Sequence, residues 1–381
     1  MLWNLDHNPN LAEIWETRIT KEMPNWKKFL YNISKYYLYE DSPLIDDLLH
    51  DMANKKIIAV DVHPGGTQFK LIVLFEDGGR ALFKPMRFPR HVERNENVLY
   101  LADYERHVSE IAAFHLDRLL GFRRVPPVVG RKINITGELL PLVLDDIYMV
   151  DTFFYSPDGN YCLAGICKMY CSELFSGFCG NPYMLEGSFA VYIPPLPVEL
   201  LEHREVENPW RRTYQLNVKA EWEKDPSFCK NVIQHLRPFN ETRRLYDAVD
   251  CAIFDFLIGN ENRVNFDEFT VFGADNTNTL IHFDNGQGFG RSDHDELSIL
   301  SPLSQCCLVR LSTFNRLYEL YVGERPLSEL MRESLAKDPL SPILTESHLE
   351  ALDRRLEKVL ALIRLCLIGN GGPTVFQDDV I

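Results

Sequence analysis

One nine-residue stretch, HFDNGQGFG at 282–290, constrains the fold more than any other part of this sequence. Its Asp284 follows an apolar run at 279–281 and precedes three glycines, which let the backbone turn tightly and approach a ligand closely. A carboxylate at a strand end beside such a turn commonly holds a metal against phosphate oxygens, although the end of a β-hairpin has the same pattern. The residues that would complete a phosphate site lie far upstream, so only a compact fold could bring them together.

The upstream candidates belong to a predicted strand–turn–strand unit at residues 57–84. The pair Gly65-Gly66 interrupts this unit, and it either offers backbone N–H groups to phosphates or forms a plain hairpin turn. Lys84 ends the last strand, where Pro85 stops the ladder. A lysine inside an apolar strand is costly without an anionic partner, and kinase folds use such a lysine on nucleotide phosphates.

A predicted helix at 103–120 supplies carboxylates for such a lysine. Glu105 and Glu110 would point roughly 140° apart on this helix, because an α-helix has about 3.6 residues per turn. The two side chains would therefore serve different partners, or both would be ordinary surface residues. Downstream, the pattern predicts a helix at 243–258 that is broken by Gly259, and a long amphipathic helix at 346–367.

The net charge of −15 and the nine cysteines limit which cellular environment and which partners the protein can have. An acidic balance disfavours nucleic acid and anionic membranes as partners. Four cysteines crowd into residues 162–179, and they predict disulfides rather than zinc because no pair of CxxC motifs is present. Eight paired cysteines would leave one free thiol. Glycosylation sequons at Asn32, Asn134 and Asn240 support an oxidising compartment.

The beginning of the sequence does not match this prediction of an oxidising compartment. Its first residues lack the basic and apolar regions of a secretory leader, and no stretch of the sequence is long enough to span a bilayer. We therefore expect a secretory protein whose leader lies outside this sequence.

The motifs above belong to a longer series by which the chain resembles the secretory-pathway atypical kinases of the Golgi casein kinase type. That family also includes a pseudokinase activator and the glycosaminoglycan xylose kinase, and the casein-kinase and pseudokinase branches are the more similar. The resemblance extends from about residue 26 to the C-terminal helix. Its strongest blocks, in chain order, are residues 66–70, 83–86, 105–118, 122–127, 185–188, 208–210, 253–260, 282–290 and 300–307.

The resemblance implies an α+β, two-lobed, atypical protein-kinase-like fold that is stabilised by disulfides, with a β-rich N-lobe and a mainly helical C-lobe. Residues 1–189 would form the N-terminal helices and the N-lobe, and residues 190–381 the hinge and the C-lobe. The implied cofactors are ATP and Mn2+ or Mg2+. The implied location is the Golgi lumen or the extracellular space. Secreted acidic proteins, or an active kinase relative in a homo- or heterodimer, would be the partners.

The same resemblance assigns roles to individual residues. Glu105 and Asp284 would hold the metal, and Glu110 would support the arrangement of the lysine. The residues that would contact the nucleotide are Gln68, Lys70, Lys84, Asp267, Asp284 and the hinge residues Ala190, Val191, Tyr192 and Ile193. The implied disulfides are Cys162–Cys179, Cys167–Cys171, Cys229–Cys306 and Cys307–Cys366, which leaves Cys251 as the free thiol.

The segment that departs from the family pattern is the catalytic one. The family has Gly-Asn-x-Asp-Arg-His-His-Tyr-Glu, whereas residues 259–267 are GNENRVNFD. Asn262 therefore stands at the position of the catalytic aspartate, and an amide cannot accept the hydroxyl proton of an incoming serine at neutral pH. Asp267 has the spacing of a metal or nucleotide ligand rather than that of the base. Glu105 is retained, in contrast, where the family's pseudokinase has glutamine.

Three functions stay open at this point. The first is a kinase-fold protein that binds Mn- or Mg-ATP, transfers phosphate weakly or not at all, and acts as an allosteric partner of an active relative. The second is an active Ser/Thr kinase that phosphorylates Ser-x-Glu motifs of secreted proteins. The third is a glycan xylose kinase. Asn262 and the similarity to the pseudokinase favour the first.

Overall fold

The structure of the protein is a computed structural model that describes residues 8–169, 171, 177–193, 203–213, 215, 217–240, 242–272 and 278–377. The strands are β1 Ile57–Val62, β2 Leu71–Phe75, β3 Arg80–Pro85, β4 Val128–Asn134, β5 Phe153–Tyr155, β6 Tyr161–Leu163, β7 Phe178–Cys179, β8 Met184–Val191, β9 His203–Glu207, β10 Asn265–Phe269, β11 Val309–Arg310 and β12 Phe376–Gln377. The α-helices are α1 Leu11–Ile14, α2 Asn25–Asn32, α3 Pro43–Asn54, α4 His107–Leu120, α5 Ile147–Val150, α6 Glu221–Lys224, α7 Phe228–Asn231, α8 Thr242–Ile258, α9 Ser301–Cys306, α10 Leu311–Val322, α11 Leu327–Leu335, α12 Glu346–Asn370 and α13 Gly372–Val375.

An antiparallel sheet with the strand order β1-β2-β3-β8-β4 forms the first half of the core. In β2, Leu71, Val73 and Phe75 are buried and alternate with half-buried residues, because successive side chains of a strand point to opposite faces. The strand–turn–strand unit predicted at 57–84 is confirmed as β1, β2 and β3. Smaller sheets pair β9 with β10, β11 with β12, and β5 with β6 and β7.

The helix that follows the third strand begins later than the sequence predicted. It begins at His107, because the backbone N–H of Arg106 donates to the carbonyl of Gly286 at 2.6 Å and holds the preceding segment extended. Glu105 therefore lies outside the helix, whereas Glu110 lies in its first turn. The prediction that both glutamates point in different directions from one helix is wrong.

The second half of the described chain is mainly helical and is organised around α8 and α12. The predicted break after α8 is confirmed, since Gly259 has a φ of +70°. A side chain at Gly259 would meet the guanidinium of Arg355, which reaches across from α12 and donates to the carbonyl of Leu257 at 3.0 Å. This buried arginine fixes the start of the catalytic segment against the longest helix.

Four disulfides stabilise the fold, and they are the four pairs that the resemblance implied: Cys162–Cys179, Cys167–Cys171, Cys229–Cys306 and Cys307–Cys366. The adjacent residues Cys306 and Cys307, at the end of α9, are joined to α7 and α12 respectively. Within the described chain Cys251 is the free cysteine, and it is buried in α8.

The sequon asparagines and the helices bear on the predicted environment. Asn32 and Asn134 are half-buried and Asn240 is exposed, so glycosylation at these positions stays a prediction. The Oδ1 atom of Asn134 accepts hydrogen bonds from the backbone N–H groups of Thr136 and Gly137. Among the described residues, none of the helices combines the length and the apolar character that a bilayer crossing requires.

Candidate active site

Lys84 is the centre of the candidate site. It lies at the end of β3, opposite Ser188 of β8, and only 7% of its surface is exposed. Its ammonium group contacts three carboxylates: Glu105 Oε2 at 2.9 Å, Glu110 Oε1 at 2.6 Å and Asp284 Oδ1 at 2.7 Å. The anionic partners that a strand lysine requires thus come from two segments that are distant from it in the sequence.

Gln68 and Gly286 place the carboxylate of Glu105. The backbone N–H of Glu105 donates to Gln68 Oε1 at 3.1 Å, and the amide of Gln68 donates in turn to the carbonyl of Asp103. Gly286 comes so close that an added Cβ would lie 2.8 Å from the Cβ of Glu105. A glycine in the block 282–290 is therefore required by close packing.

Asp284 reaches Lys84 from a strained position in the backbone. Its φ is +56°, in the left-handed region that aspartate enters more readily than most residues. The side chain is 64% exposed and lines the cleft. Strained residues cluster at functional sites because the surrounding structure must hold them in place.

The charges of this cluster are unbalanced, since one ammonium group faces three carboxylates. Burial alone would lower the pKa of Lys84, but the three carboxylates hold it well above its ordinary value. Lys84 in turn holds the pKa of Asp284 well below its usual range. Burial raises the pKa of Glu105, although Lys84 opposes this effect. Glu105 is thus a carboxylate whose charge a further cation would stabilise.

The donor set fits a divalent metal ion. Glu105, Glu110 and Asp284 each offer a carboxylate oxygen, and these atoms lie within 4.8 Å of one another. Carboxylate oxygens are the ligands that Mg2+ prefers, and they also suit Mn2+. The excess of negative charge beside Lys84 is what such an ion would neutralise.

A cleft of about 530 Å³ lies in front of this cluster. The residues expected at the nucleotide site that line it are Lys70, Lys84, Ala190, Asp267 and Asp284, together with Glu110 and Asn262. Gln68 and Glu105 lie behind this wall, and Val191, Tyr192 and Ile193 are also outside the lining. The lining residues to which the sequence assigned no role of their own are His63, Leu82, Val125, Pro126, Val128, Ser188, Glu205, Arg263, Val264, Asn265, His282, Phe283 and Asn285.

The two central backbone donors of the predicted hinge are not free to bind a nucleotide. The backbone N–H groups of Val191 and Tyr192 donate at 2.9 Å to the carbonyls of Pro127 and Arg80, so they are already used within the protein. Ala190 is paired with strands on both sides. This end of the cleft therefore offers a base mainly apolar contact.

The catalytic segment is held by Arg263. Its guanidinium donates to both carboxylate oxygens of Asp255, at 2.9 and 2.7 Å, and to Asn285 Oδ1 at 2.8 Å. It also bonds the carbonyl of Phe283. Arg263 thus locks the segment around Asn262 to the segment around Asp284. One sequence signal could have identified it, since the family pattern also has arginine directly after the catalytic position.

Asn262 lies where the cleft meets this locked segment. Its backbone N–H donates to Asn260 Oδ1 at 3.1 Å. Its carboxamide oxygen is buried and has no hydrogen-bond partner among the residues that the structure describes. The position of the family's aspartate therefore lies at the wall of the cleft, but it carries a neutral amide.

A buried strand lysine, a carboxylate paired with it from the next helix, and a glycine-flanked aspartate across a cleft define a two-lobed, protein-kinase-like protein. Residues 24–375 match the family described as Golgi casein kinase, C-terminal, Fam20. The chain belongs to this family, so the resemblance inferred from the sequence is confirmed.

Relatives in the family include both active and inactive proteins. The chain is 48% identical over 358 residues to the extracellular serine/threonine protein kinase FAM20C of Homo sapiens, covering 94% of this chain and 60% of that protein. It is 44% identical over 375 residues to the pseudokinase FAM20A of Homo sapiens, covering 94% and 68%. The chain thus spans about three-fifths of the length of the human kinase.

A solved structure confirms the fold class. The crystal structure of the Golgi casein kinase with Mn/ADP bound superposes with a TM-score of 0.91 at 40% identity, covering 97% of this chain and 86% of that one. The α+β, two-lobed kinase-like fold expected from the sequence is therefore the fold of this chain.

Proposed function

We propose that this protein binds ATP with Mn2+ or Mg2+ in the cleft and transfers phosphate weakly or not at all. It would act as a partner of an active relative in the secretory pathway. The observation that carries the proposal is a contrast within one cleft. Lys84, Glu105, Glu110 and Asp284 come together in one cluster, whereas Asn262 offers no proton acceptor.

The binding part of the proposal rests on side chains that converge on the cleft. Glu105 and Asp284 would hold the cation, which neutralises phosphate charge when it is bound. Lys70 and Lys84 offer ammonium groups to phosphate oxygens. Glu110 keeps Lys84 in position through its 2.6 Å contact.

Residues away from the lysine support the rest of the nucleotide site. Gln68 would act by positioning Glu105, with which it is hydrogen-bonded. Leu82, Val128 and Ala190 form an apolar wall for the base. Asp267 adds a carboxylate on the opposite side of the cleft. The Golgi casein kinase structure that the chain matches holds Mn and ADP, which supports the same cofactors here.

The transfer part of the proposal rests on proton chemistry. The acceptor hydroxyl must lose its proton as it attacks the phosphate, and a carboxylate takes this proton in the family pattern. The amide of Asn262 cannot take it. A positioned general base typically contributes on the order of 10²- to 10⁴-fold to the rate, so the residual activity would be low.

The relatives and the cysteines support the proposed location in the secretory pathway. One relative is named an extracellular kinase, and four disulfides are typical of an oxidising compartment. We therefore place the protein in the Golgi lumen or outside the cell. An active relative in a homo- or heterodimer, or a secreted acidic protein, would be its partner.

Two measurements on the same preparation test the proposal. Thermal stability should rise with Mn-ATP, because a ligand that binds only the folded state stabilises it, and Asp284→Ala should lose this rise. Phosphate transfer to casein should be at least about 100-fold slower than that of an active relative. Turnover equal to the relative's and abolished by Asp284→Ala would instead establish an active kinase. A lack of stabilisation at millimolar Mn-ATP would contradict the proposed nucleotide site.

A further inference from the structure

A second, smaller cavity lies on the other side of the catalytic segment from the nucleotide cleft. Its volume is about 50 Å³, and Asn262, Arg263 and Val264 line both cavities. The segment after β9 and the 3-10 helix Leu297–Leu300 complete its wall. A protein segment that approaches Asn262 from outside the nucleotide cleft would lie here. We call this cavity the acceptor chamber, since an acceptor is the second reactant at that position.

Glu261, directly before Asn262, forms part of the chamber wall, and two arginines contact it. The side chain of Glu261 is 9% exposed and forms an ion pair with Arg94, which is 12% exposed. Its other oxygen lies 3.7 Å from the guanidinium of Arg212. Arg94 belongs to the segment between β3 and α4, whereas Arg212 follows β9. Two guanidinium groups from distant parts of the chain therefore converge on one carboxylate beside Asn262.

Arg212 also has partners on its other side. It contacts Glu296 Oε1 at 2.9 Å and the hydroxyl of Ser298, and its guanidinium carbon lies 5.4 Å from the centre of the Tyr100 ring. The four charged groups, Arg94, Arg212, Glu261 and Glu296, are balanced as they stand. Without the charge of Glu261, one positive charge would face the chamber unmatched.

Glu261, the partner that the chain itself provides to Arg94 and Arg212, indicates which chemical group these arginines can bind. Guanidinium groups bind carboxylates through charge-assisted hydrogen bonds. A pair of arginines that is filled by the chain's own glutamate is therefore suited to a glutamate or aspartate of another protein. Such a side chain would have to displace Glu261 in order to enter.

We propose that Glu261 is an internal occupant of the Arg94–Arg212 carboxylate site and closes the acceptor chamber to acidic segments of other proteins. It would be a specificity-determining residue that prevents binding, independently of the missing base at Asn262. This inference rests on the proposed function only in treating the chamber as the acceptor side. Binding of a peptide requires no nucleotide and no phosphate transfer, so its test is separate from that of the proposed function.

The test is peptide binding measured by fluorescence anisotropy at low salt. The probe is a short fluorescein-labelled peptide of Ser, Gly and Glu, and its control has every Glu replaced by Gln. Glu261→Gln should bind the acidic peptide about tenfold more tightly than wild type, the gain of a charge-assisted hydrogen bond. Binding of the neutral peptide should not change. Adding Arg212→Gln should cancel the gain.

A matched control excludes a general effect of charge. Glu221→Gln makes the same chemical change at an exposed glutamate that pairs with Lys224, and it should leave both affinities unchanged. If Glu261→Gln does not fold, Glu261→Asp keeps the charge but draws the carboxylate back by one methylene from both Arg94 and Arg212, so a smaller gain for the acidic peptide is still expected. Equal affinities in wild type and the Glu261 variants, or an equal gain for both peptides, would overturn the proposal.

Discussion

Two buried ionic clusters of this molecule differ in the sign of their imbalance and in their access to solvent. The Lys84 cluster has one cation and three carboxylates and opens onto a cleft of about 530 Å³. The second cluster, which we call the closed cluster, has three cations and two carboxylates and does not open onto this cleft. Its members are Arg124, Arg243, Arg310, Asp247 and Asp250.

The carboxylates of the closed cluster are held by donors from within the protein. Asp250 bonds Arg124 at 3.2 Å, Thr313 Oγ1 at 2.8 Å and the guanidinium of Arg310. Burial lowers the pKa of Arg243 to about 10, and its guanidinium carbon lies 4.2 Å from the centre of the Tyr36 ring. Every carboxylate there has several donors, so the cluster joins α8 to β11 and α10 without a ligand.

The difference shows which buried charges belong to structure and which to function. A closed cluster needs full internal satisfaction, because an unpaired buried charge is strongly destabilising. In the Lys84 cluster three carboxylates contact one ammonium group beside a cavity, where a cation from outside would find ligands. The same substitution, Asp to Asn, should therefore mainly lower stability in the closed cluster and mainly abolish ligand binding in the Lys84 cluster.

The largest effect is expected from breaking the closed cluster. Asp250→Asn should lower the free energy of unfolding by about 3 kcal/mol or more, since it leaves Arg310 and Arg124 with an uncompensated charge. Chemical denaturation measures this change. The exposed Glu333, which pairs with Arg325 at 2.6 Å, provides the control, and Glu333→Gln should cost less than about 1 kcal/mol. Equal losses at both positions would show that the closed cluster is no more structural than a surface pair.

The next effect concerns the one group that the open cluster lacks. Asn262→Asp should raise phosphate transfer to casein by on the order of 100-fold or more, because it restores a proton acceptor at the cleft wall. Initial rates with Mn-ATP measure the gain, and the double variant with Asp284→Ala should lose it. An unchanged rate in Asn262→Asp would mean that something besides the base is missing, for which the acceptor chamber is the first candidate.

A smaller effect separates binding from folding within the open cluster. Asp284→Asn should abolish the stabilisation by Mn-ATP, which is about 2.7 kcal/mol when the ligand is at 100 times its Kd. It should cost the ligand-free protein less stability than Asp250→Asn does, because Glu105 and Glu110 still contact Lys84 after the charge of Asp284 is lost. Denaturation with and without Mn-ATP measures both quantities. A large loss of stability without ligand would place this cluster in the same class as the closed one.

For the Lys84 cluster, the open one, the sequence predicted which residues take part better than it predicted how they are arranged. Lys84 and Asp284 stand out locally, as a lysine in an apolar strand and an aspartate before glycines. The start of α4 could not be predicted, because a contact of Arg106 with Gly286 overrides the helical pattern around Glu105.

Pairings across long stretches of chain were also beyond the sequence alone. The ion pair of Arg94 with Glu261 spans 167 residues, and no local pattern marks such a contact. The cysteine spacing left the disulfide pairing open, and only the family resemblance supplied it. The closed cluster was missed entirely, since no local pattern distinguishes its arginines from surface arginines until the fold buries them.

The effect that is smallest within any one pH unit is a pH dependence that distinguishes a third buried carboxylate, Asp117. Burial raises its pKa to about 7, although the backbone N–H groups of Arg124 and Val125 oppose this. A carboxyl group whose pKa is higher in the folded state binds its proton more tightly there, so it stabilises the fold below its unfolded pKa. This contribution is lost as the pH rises from about 4 to about 7, by at most about 1.4 kcal/mol per pH unit.

The difference between two pH profiles isolates the contribution of Asp117. Burial lowers the pKa of His107 and His282, so these groups make stability rise with pH and partly mask the effect in the wild type. Asp117→Asn should lack the falling component, so the stability of wild type relative to this variant should decrease between pH 4 and pH 7. Parallel profiles would mean that Asp117 is ionised throughout this range. It would then belong with Asp250, held by its hydrogen-bond donors in a closed site.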